Sequence, residues 1–228
     1  MPKKANTTKI TQKKVFYYPV TRKVFKRSST KTLINTVKMA EIEEIRVHGR
    51  GGQGAVTFAQ LLAIAGFYEG FETQAFPKFG VERRGAPVEA YCRVSKKQIN
   101  LRDQVYNPKL IIILDSSLMD TVDVCHGLEK GGLIIINTSE EIPKNMFKDF
   151  KVFNVDATHV ALSIFGADIV NTAMLGAYAA VTGKLSIKSI NKSLEERFKR
   201  RSDLIEKNKK AVEEVYNLVK KNMHANHN

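Results

Sequence analysis

Residues 45–66 read IRVHGRGGQGAVTFAQLLAIAG, and this stretch decides the fold class. The first four residues, IRVH, have the pattern of a short strand. The segment between Gly54 and Gly66 carries small and apolar residues on most of its faces, which is typical of a helix that packs on a sheet. The chain therefore passes from a strand into a helix through a short turn, Gly49-Arg50-Gly51-Gly52-Gln53-Gly54.

Strands and helices alternate along the rest of the chain. Two continuous apolar runs, LIIIL at 110–114 and LIIIN at 133–137, are typical of parallel strands that are buried on both faces. The pattern also predicts strands at 71–76, 88–94 and 151–155, and helices at 117–131, at 169–183, from Ser186 and at 203–222. This alternation predicts an α/β fold: a doubly wound, Rossmann-like sheet with helices on both faces and C-terminal helical additions from about residue 186.

The composition is that of a globular protein in a reducing compartment. Of the 228 residues, 43% are hydrophobic and 26% are charged, which is enough to bury a core and keep a polar surface. No apolar run reaches the roughly 18 residues that a membrane-spanning helix needs, and the chain does not begin with a secretory signal. Cys92 and Cys125 are too few for a disulfide framework or a cysteine-ligated cluster, and the five histidines form no metal-binding motif. We expect a cytoplasmic protein with no metal site and no membrane contact.

The net charge of +14 is concentrated at the two ends of the chain. Residues 1–38 carry 11 Lys and Arg and no acid, and residues 184–228 carry 12 against 6, whereas residues 39–183 carry 14 against 17. A nucleic-acid-binding domain should present its basic surface on the folded body, so we expect no nucleic-acid partner. We interpret 1–38 as a disordered basic extension and 39–228 as a single domain. We prefer the interpretation that Met39 is the true start and that the residues before it are a gene-boundary artefact or a dispensable tail. Organelle targeting by the extension is the alternative.

The glycine turn at 49–54 matches the phosphate-binding pattern G-x-G-x-x-G. Glycines here would let backbone N–H groups approach a phosphate at the positive end of the helix. A nicotinamide dinucleotide site should also place an acid at the end of the second strand, where this chain has Phe76. Ala55 and Val56 stand where a Walker A motif needs Lys and Ser or Thr. The turn therefore indicates phosphate binding but completes neither the dinucleotide motif nor the Walker A motif. The alternative is that its glycines only permit a tight turn and close packing.

A second candidate segment, KFGVERRGAP at 78–87, follows the second predicted strand. Loops after neighbouring parallel strands line one edge of a sheet, so we expect this segment to face the glycine turn across a shared crevice. Its charged residues Lys78, Arg83 and Arg84 would join Arg50 around a ligand that carries more than one phosphate. The alternative is that Glu82 pairs with one arginine while the others are solvated or face another subunit.

Other polar residues carry weaker signals. Asp115 and Asp156 each follow an apolar strand and precede a predicted helix, where an aspartate is at least as often an N-cap as a catalyst. Asn171 lies on an apolar helix and is interpreted as a buried amide with its hydrogen bonds satisfied. We therefore predict no catalytic residue. The candidate binding residues are Gly49, Arg50, Gly51, Gly52, Gln53, Gly54, Lys78, Glu82, Arg83 and Arg84.

Several segments, in this order and spacing, resemble one known family. They are VHGRGGQGAVTFAQLLAIA, QAFPKFGVERRGAPVEAYCRV, NPKLIIILDSSLM, GGLIIIN and IVNTAMLGAYAAVTG. They closely resemble the gamma subunits of pyruvate:ferredoxin oxidoreductase, in the anaerobic 2-oxoacid:ferredoxin oxidoreductase family. The likeness covers about 39–221, and the pair GRGGQGAV and FGVERRGAPV is specific. The basic extension departs from the family pattern.

The resemblance implies more than the residues alone. Holoenzymes of this family decarboxylate pyruvate oxidatively, reduce ferredoxin and transfer the acyl group to coenzyme A. Thiamine diphosphate lies between the alpha and beta subunits, iron–sulfur clusters lie in the beta and delta subunits, and the gamma subunit helps to hold coenzyme A. The resemblance thus implies a subunit that is inactive alone and has alpha, beta and delta partners, and ferredoxin through the complex. It also implies that coenzyme A is the polyphosphate ligand of the crevice.

Three alternatives stay open at this stage. The same subunit could serve a branched-chain 2-oxoacid enzyme acting on 2-oxoisovalerate, which the sequence does not separate from a pyruvate enzyme. A free-standing Rossmann-type nucleotide-binding dehydrogenase is disfavoured by the missing ribose acid. A nucleic-acid-binding module would have to use the two basic ends and would bind with a steep salt dependence.

Overall fold

The computed structural model describes residues 42–78, 80, 83–143 and 145–225. Six strands alternate with helices along this part of the chain. The strands are β1 (Glu43–Arg50), β2 (Glu72–Pro77), β3 (Pro87–Ser95), β4 (Leu110–Ile113), β5 (Leu133–Asn137) and β6 (Lys151–Val155). The helices are α1 (Ala55–Tyr68), α2 (Ala157–Phe165), α3 (Val170–Thr182), α4 (Ile187–Phe198) and α5 (Ser202–Ala225), with a 3-10 helix at Ser116–Asp120.

The six strands form one mixed sheet in the order β2-β3-β1-β4-β5-β6. β1, β4, β5 and β6 are parallel neighbours, and β3 runs antiparallel to both β1 and β2. The chain leaves β1 toward one side of the sheet, forms β2 and β3 there, and returns to place β4 on the other side of β1. The carboxyl ends of β1 and β4 therefore flank a topological switch point, which is the position where open α/β sheets bind ligands.

All five α-helices described pack on one face of this sheet. The face is apolar: Ile45 and Val47 of β1 join buried residues of α1 to α5 in one core cluster. The small residues of the segment 169–183 allow close packing of α3 on α5, because a Cβ at Gly176 would lie 2.1 Å from the Val212 carbonyl oxygen. The Thr172 hydroxyl also donates a hydrogen bond to the Asn208 side-chain oxygen across this contact.

The opposite face is covered by the 3-10 helix and by turns. Ile111 and Ile113 of β4 pack there against Leu118 and Val124. The prediction of an α/β sheet with helices on both faces is confirmed. Among the described residues, the α-helices lie on the first face, and the helix on this second face is the 3-10 helix. Farther along the same face, β1 and β3 bury charged and polar side chains instead of apolar ones, namely Arg46, His48 and Arg93.

The predicted helix at 117–131 is wrong. Only Ser116–Asp120 is helical in this region, and turns follow it. Asp123 accepts a hydrogen bond from the backbone N–H of Cys125, and Gly127 has a φ of +72°. A side-chain acceptor that competes for the backbone and a left-handed glycine both end helical structure. The other predicted helices and strands are present, within a few residues of the expected bounds.

The basic extension at 1–38 lies outside the described residues, so its disorder and its dispensability stay predictions. In the described part of the chain no helix is long and apolar enough to cross a membrane.

Candidate functional site

The glycine turn and the segment after β2 meet at the switch point. The Gly51 N–H donates to the Ala86 carbonyl at 2.8 Å, and the Gly85 N–H donates to the Gly51 carbonyl at 3.0 Å. A Cβ at Gly51 would lie 2.2 Å from the Arg83 carbonyl oxygen, so no larger residue fits between the two segments. The structure thus brings together two of the segments that the sequence singled out.

The reason for this meeting differs from the expected one. β1 and β2 point the same way but are not neighbours, because β3 lies between them and runs antiparallel to both. The loop between β2 and β3 therefore belongs to a hairpin, and the hairpin returns it to the carboxyl end of β1. We call residues 83–86 of this hairpin loop the arginine loop.

Arg50 joins three segments at the switch point. Its Nε donates to Asp115 Oδ2 at 3.1 Å, its Nη2 to Ser117 Oγ at 2.8 Å, and its Nη1 to the Gly85 carbonyl at 3.2 Å. Arg50 was expected to be a cation available to phosphate. Its charge is instead balanced by Asp115, and its guanidinium connects the glycine turn, the arginine loop and the exit of β4.

Asp115 accepts four hydrogen bonds around one carboxylate. Oδ2 accepts from Arg50 and from Gln53 Nε2 at 3.0 Å, and Oδ1 accepts from the backbone N–H and the hydroxyl of Ser117. Burial acts to raise the pKa of Asp115, but the hydrogen bonds from Ser117 and Gln53 and the charge of Arg50 outweigh it, so that the pKa lies below its ordinary value. The expected N-cap role is confirmed. The ion pair with Arg50 was not predicted.

Two helices begin beside this network without a side-chain cap. The N-cap of α1 is Gly54, with a φ of +83°, and the N-cap of α3 is Ile169. A Cβ at Gly54 would lie 2.2 Å from Asn171 Nδ2, so the two helix starts are in contact. Asn171 is half-buried and its side-chain oxygen accepts from the Thr172 N–H. Apart from the Thr172 N–H, the first-turn backbone N–H groups of these two helices have no side-chain acceptor among the described residues. Such N–H groups can bind an anion.

The four expected cations divide into two pairs. Lys78 makes an ion pair with Glu89 at 2.8 Å, as Arg50 does with Asp115. Arg83 and Arg84 are exposed and have no acidic partner among the described residues. Glu82, the acid that could have neutralised one of them, lies outside the described residues. Arg83 and Arg84 are therefore the cations that the arginine loop presents to solvent.

A buried polar layer lies on the turn-covered face beneath the site. Arg46 donates to the backbone carbonyls of His126, Val105 and Tyr106 at 2.6, 3.1 and 3.2 Å. His48 is 4% exposed, and its Nε2 has no hydrogen-bond partner among the described residues. Burial lowers the pKa of His48 to about 4, and the charge of Arg46 adds to this effect while Glu89 opposes it. This layer was not predicted, since its residues alternate with apolar ones along β1 and β3, a pattern that normally indicates a face exposed to solvent.

The remaining polar candidates serve the fold. Asp156 caps α2 by accepting from the His159 N–H at 2.8 Å. Within the described ranges no group of three or more His, Cys, Asp or Glu side chains could hold a metal ion. A cleft of about 460 Å³ opens at the opposite edge of the sheet, where its walls include the first residues of β1, β4, β5 and β6. The switch point, by contrast, is surrounded by loops and helix starts.

The comparisons with known proteins agree with one another. Residues 44–218 match the sequence profile of the family described as pyruvate ferredoxin/flavodoxin oxidoreductase. The chain is 51% identical over 178 residues to the pyruvate synthase subunit PorC of Methanocaldococcus jannaschii, covering 78% of this chain and 97% of that protein. It is also 51% identical over 178 residues to the pyruvate/ketoisovalerate oxidoreductases common subunit gamma of Thermococcus kodakarensis, covering 76% and 95%. Among solved structures, pyruvate oxidoreductase subunit PORC from Thermotoga maritima superposes with a TM-score of 0.66 at 35% identity, covering 77% of this chain and 96% of that one.

Proposed function

Because this chain belongs to the pyruvate ferredoxin/flavodoxin oxidoreductase family, we propose that it is the gamma subunit of a pyruvate:ferredoxin oxidoreductase and that its switch-point crevice binds part of coenzyme A. The holoenzyme would oxidise pyruvate to acetyl-coenzyme A and carbon dioxide and pass two electrons to ferredoxin. Coenzyme A is the acyl acceptor of that reaction. The protein would act in the cytoplasm.

One observation carries the binding proposal. Arg83 and Arg84 are exposed, without acidic partners in the described part of the chain, and lie on a loop hydrogen-bonded to the turn that starts α1. Exposed guanidinium groups and uncapped helix N–H donors are the groups that proteins use for phosphates. Within the described residues, the switch point presents two cations that have no acidic partner, together with backbone donors. These groups support the proposal that the phosphates of coenzyme A bind here.

The rest of the chemistry belongs to partner subunits in this proposal. The described residues contain no cluster of metal-ligating side chains, and both cysteines are buried or half-buried with a raised pKa, which in Cys125 reaches about 11. We assign thiamine diphosphate and the iron–sulfur clusters to alpha, beta and delta subunits. Residues 39–228 would form a single domain that supplies a wall for coenzyme A, with no nucleophile or base of its own.

Substitution of the arginines in the assembled enzyme tests the binding site. Loss of one charge-assisted hydrogen bond to a phosphate costs about 1.5–3 kcal/mol, or roughly 10- to 150-fold in affinity. We expect Arg83→Ala or Arg84→Ala to raise the KM for coenzyme A by about this factor. The KM for pyruvate should not change. Arg102→Ala, which removes an exposed arginine of the β3–β4 connection, is the matched control.

Two results would contradict this assignment. Equal KM values for coenzyme A in the two variants and in the control would show that the arginines are merely solvated. Dissociation of the complex by both variants would show that the arginine loop is a subunit interface.

The subunit assignment has a separate test. The purified chain alone should neither decarboxylate pyruvate nor reduce a viologen dye, and it should do both after assembly with its partner subunits. Sustained turnover by the single chain would refute the assignment.

A second substrate class is favoured by one comparison. The Thermococcus kodakarensis relative is named a subunit common to pyruvate and ketoisovalerate oxidoreductases. We therefore propose 2-oxoisovalerate as the alternative substrate of the complex. Measurement of kcat/KM for pyruvate and for 2-oxoisovalerate, on complexes purified through this chain, decides between one substrate and both.

A further inference from the structure

An ion pair between Arg50 and Asp115 lies at the candidate site. Its two residues come from the ends of β1 and β4, the strands on either side of the switch point, and are 65 residues apart in sequence. The side chains are only 29% and 20% exposed. Arg50 Nη1 also donates a hydrogen bond to the Gly85 carbonyl in the arginine loop.

We propose that Asp115 is a positioning residue: it holds Arg50 as a clamp that closes the arginine loop against the glycine turn. The clamp itself is independent of the ligand. Its effect on coenzyme A rests on the proposed function, because the loop that it holds carries Arg83 and Arg84.

The hydrogen bonding of Asp115 excludes a role as a base or as a direct ligand. Each carboxylate oxygen accepts two hydrogen bonds, which fills the acceptor sites of the group. The same bonds hold its pKa below the ordinary value, so that it stays ionised at neutral pH. An ionised, fully bonded carboxylate anchors its neighbours rather than exchanging protons.

The donors of Arg50 are placed so that the clamp acts on all three segments at once. The guanidinium is planar. Once Nε is bonded to Asp115 and Nη2 to Ser117, the direction in which Nη1 points, toward the Gly85 carbonyl, is fixed as well. Gln53 supports both partners, since it accepts from the Arg50 backbone N–H at 2.7 Å and donates to Asp115. Without the carboxylate, the guanidinium loses its anchor and the arginine loop loses a side-chain contact with the body of the domain.

The first experiment measures the clamp directly on the full-length chain. Asp115→Asn keeps the size of the side chain but removes its charge, and the matched control is Asp120→Asn, an exposed aspartate five residues later. We expect trypsin to cleave after Arg83 or Arg84 about tenfold faster in Asp115→Asn, because cleavage tracks the population of the open loop. Exchange of the Gly51 and Gly85 amide hydrogens should accelerate by a similar factor. Unchanged cleavage and exchange in a folded Asp115→Asn chain would overturn the proposal.

The second experiment measures the consequence in the assembled enzyme. We expect Asp115→Asn to raise the KM for coenzyme A about fivefold or more, while kcat at saturating coenzyme A and the KM for pyruvate change less than twofold. If the residues act as one unit, adding Arg50→Met to Asp115→Asn should cause little further increase. A lower KM for coenzyme A would mean that Asp115 restrains Arg50 from the ligand, which would overturn a positioning role. Faster proteolysis with an unchanged KM would support the clamp and refute coenzyme A binding in this crevice.

Discussion

The two faces of the sheet are built on different principles, although the same strands contribute to both. On the helix-covered face, Ile45 and Val47 pack against apolar residues of α1 to α5. On the other face the alternate residues of β1, Arg46 and His48, are buried beneath turns. The first face depends on shape, since Gly176 brings α3 against the backbone of α5. The second depends on donors, since Arg46 bonds to three backbone carbonyls of the covering turns.

The difference shows how irregular structure can cover a sheet. Turns leave backbone carbonyls unpaired, and a buried unpaired carbonyl is costly. A buried arginine with five donors satisfies several of them together. The helix-covered face needs no such residue, because the backbone groups in the middle of each helix bond to one another.

The largest effect is expected on the helix-covered face. Gly176→Ala places a Cβ 2.1 Å from the Val212 carbonyl oxygen, and neither backbone can move away within a packed helix pair. We expect the free energy of unfolding to fall by about 3 kcal/mol or more, measured by urea denaturation. Gly80→Ala, with no described atom within 4 Å of the new methyl group, should change it by less than about 0.5 kcal/mol. Equal losses in the two variants would show that α3 and α5 can separate easily.

The second effect is a pH dependence that belongs to the polar layer. The pKa of His48 is about 4 in the folded chain and about 6.5 in the unfolded chain, so the unfolded chain takes up the proton first as the pH falls. Stability is therefore full above pH 6.5 and is lost as the pH falls toward 4. Between pH 7.5 and 4.5 this residue should account for a loss of about 2 to 3 kcal/mol in the free energy of unfolding.

The variant His48→Gln isolates this contribution. We expect its free energy of unfolding, measured by urea denaturation, to fall between pH 7.5 and 4.5 by about 2 to 3 kcal/mol less than that of the parent chain. The exposed His159→Gln should leave the loss as it is. A parent-like pH profile in His48→Gln would show that the buried histidine is not the titrating group.

The third effect concerns the covering turns. Arg46→Met keeps an apolar stem but leaves the carbonyls of Val105, Tyr106 and His126 without their donor. We expect a loss of about 2 kcal/mol, with faster hydrogen exchange confined to the turns around these residues. Arg102→Met, at an exposed position, should have almost no effect. Uniform loosening of the helices instead would mean that the two faces are not independent.

The same contrast explains what could be predicted from the sequence. LIIIL and LIIIN predict buried parallel strands because continuous apolar runs have few other uses, and both strands are present. The segment after β4 was mispredicted as a helix. Its residues Leu118, Val122 and Cys125 are spaced four and seven residues apart, as on one face of an amphipathic helix. The backbone is nevertheless held in turns by Asp123 and Gly127. The spacing of apolar residues carries no information on local side-chain hydrogen bonds of this kind.

The sequence analysis predicted which two segments form the candidate site, but it did not predict the ion pair between Arg50 and Asp115. The glycine turn and the arginine loop were identified from residue types that bind phosphate, and the structure brings them together. The partner of Arg50 was not identified, because Asp115 is 65 residues away and an aspartate after a strand is most simply a cap. The order β2-β3-β1-β4 was needed to place Asp115 beside Arg50.

The partners of Arg50 also bear on the order in which the chain folds. Gly85 is 35 residues away, whereas Asp115 and Ser117 are 65 and 67 residues away. Loop closure costs about 0.6 kcal/mol more for each doubling of loop length, and β4 must first cross to the far side of β1 before its end can reach Arg50. We therefore expect the arginine loop to meet the glycine turn at an early stage, through the β1–β3 pairing. The Asp115 carboxylate would join this contact last, so that the three segments around Arg50 meet only in a chain whose central strands are in register.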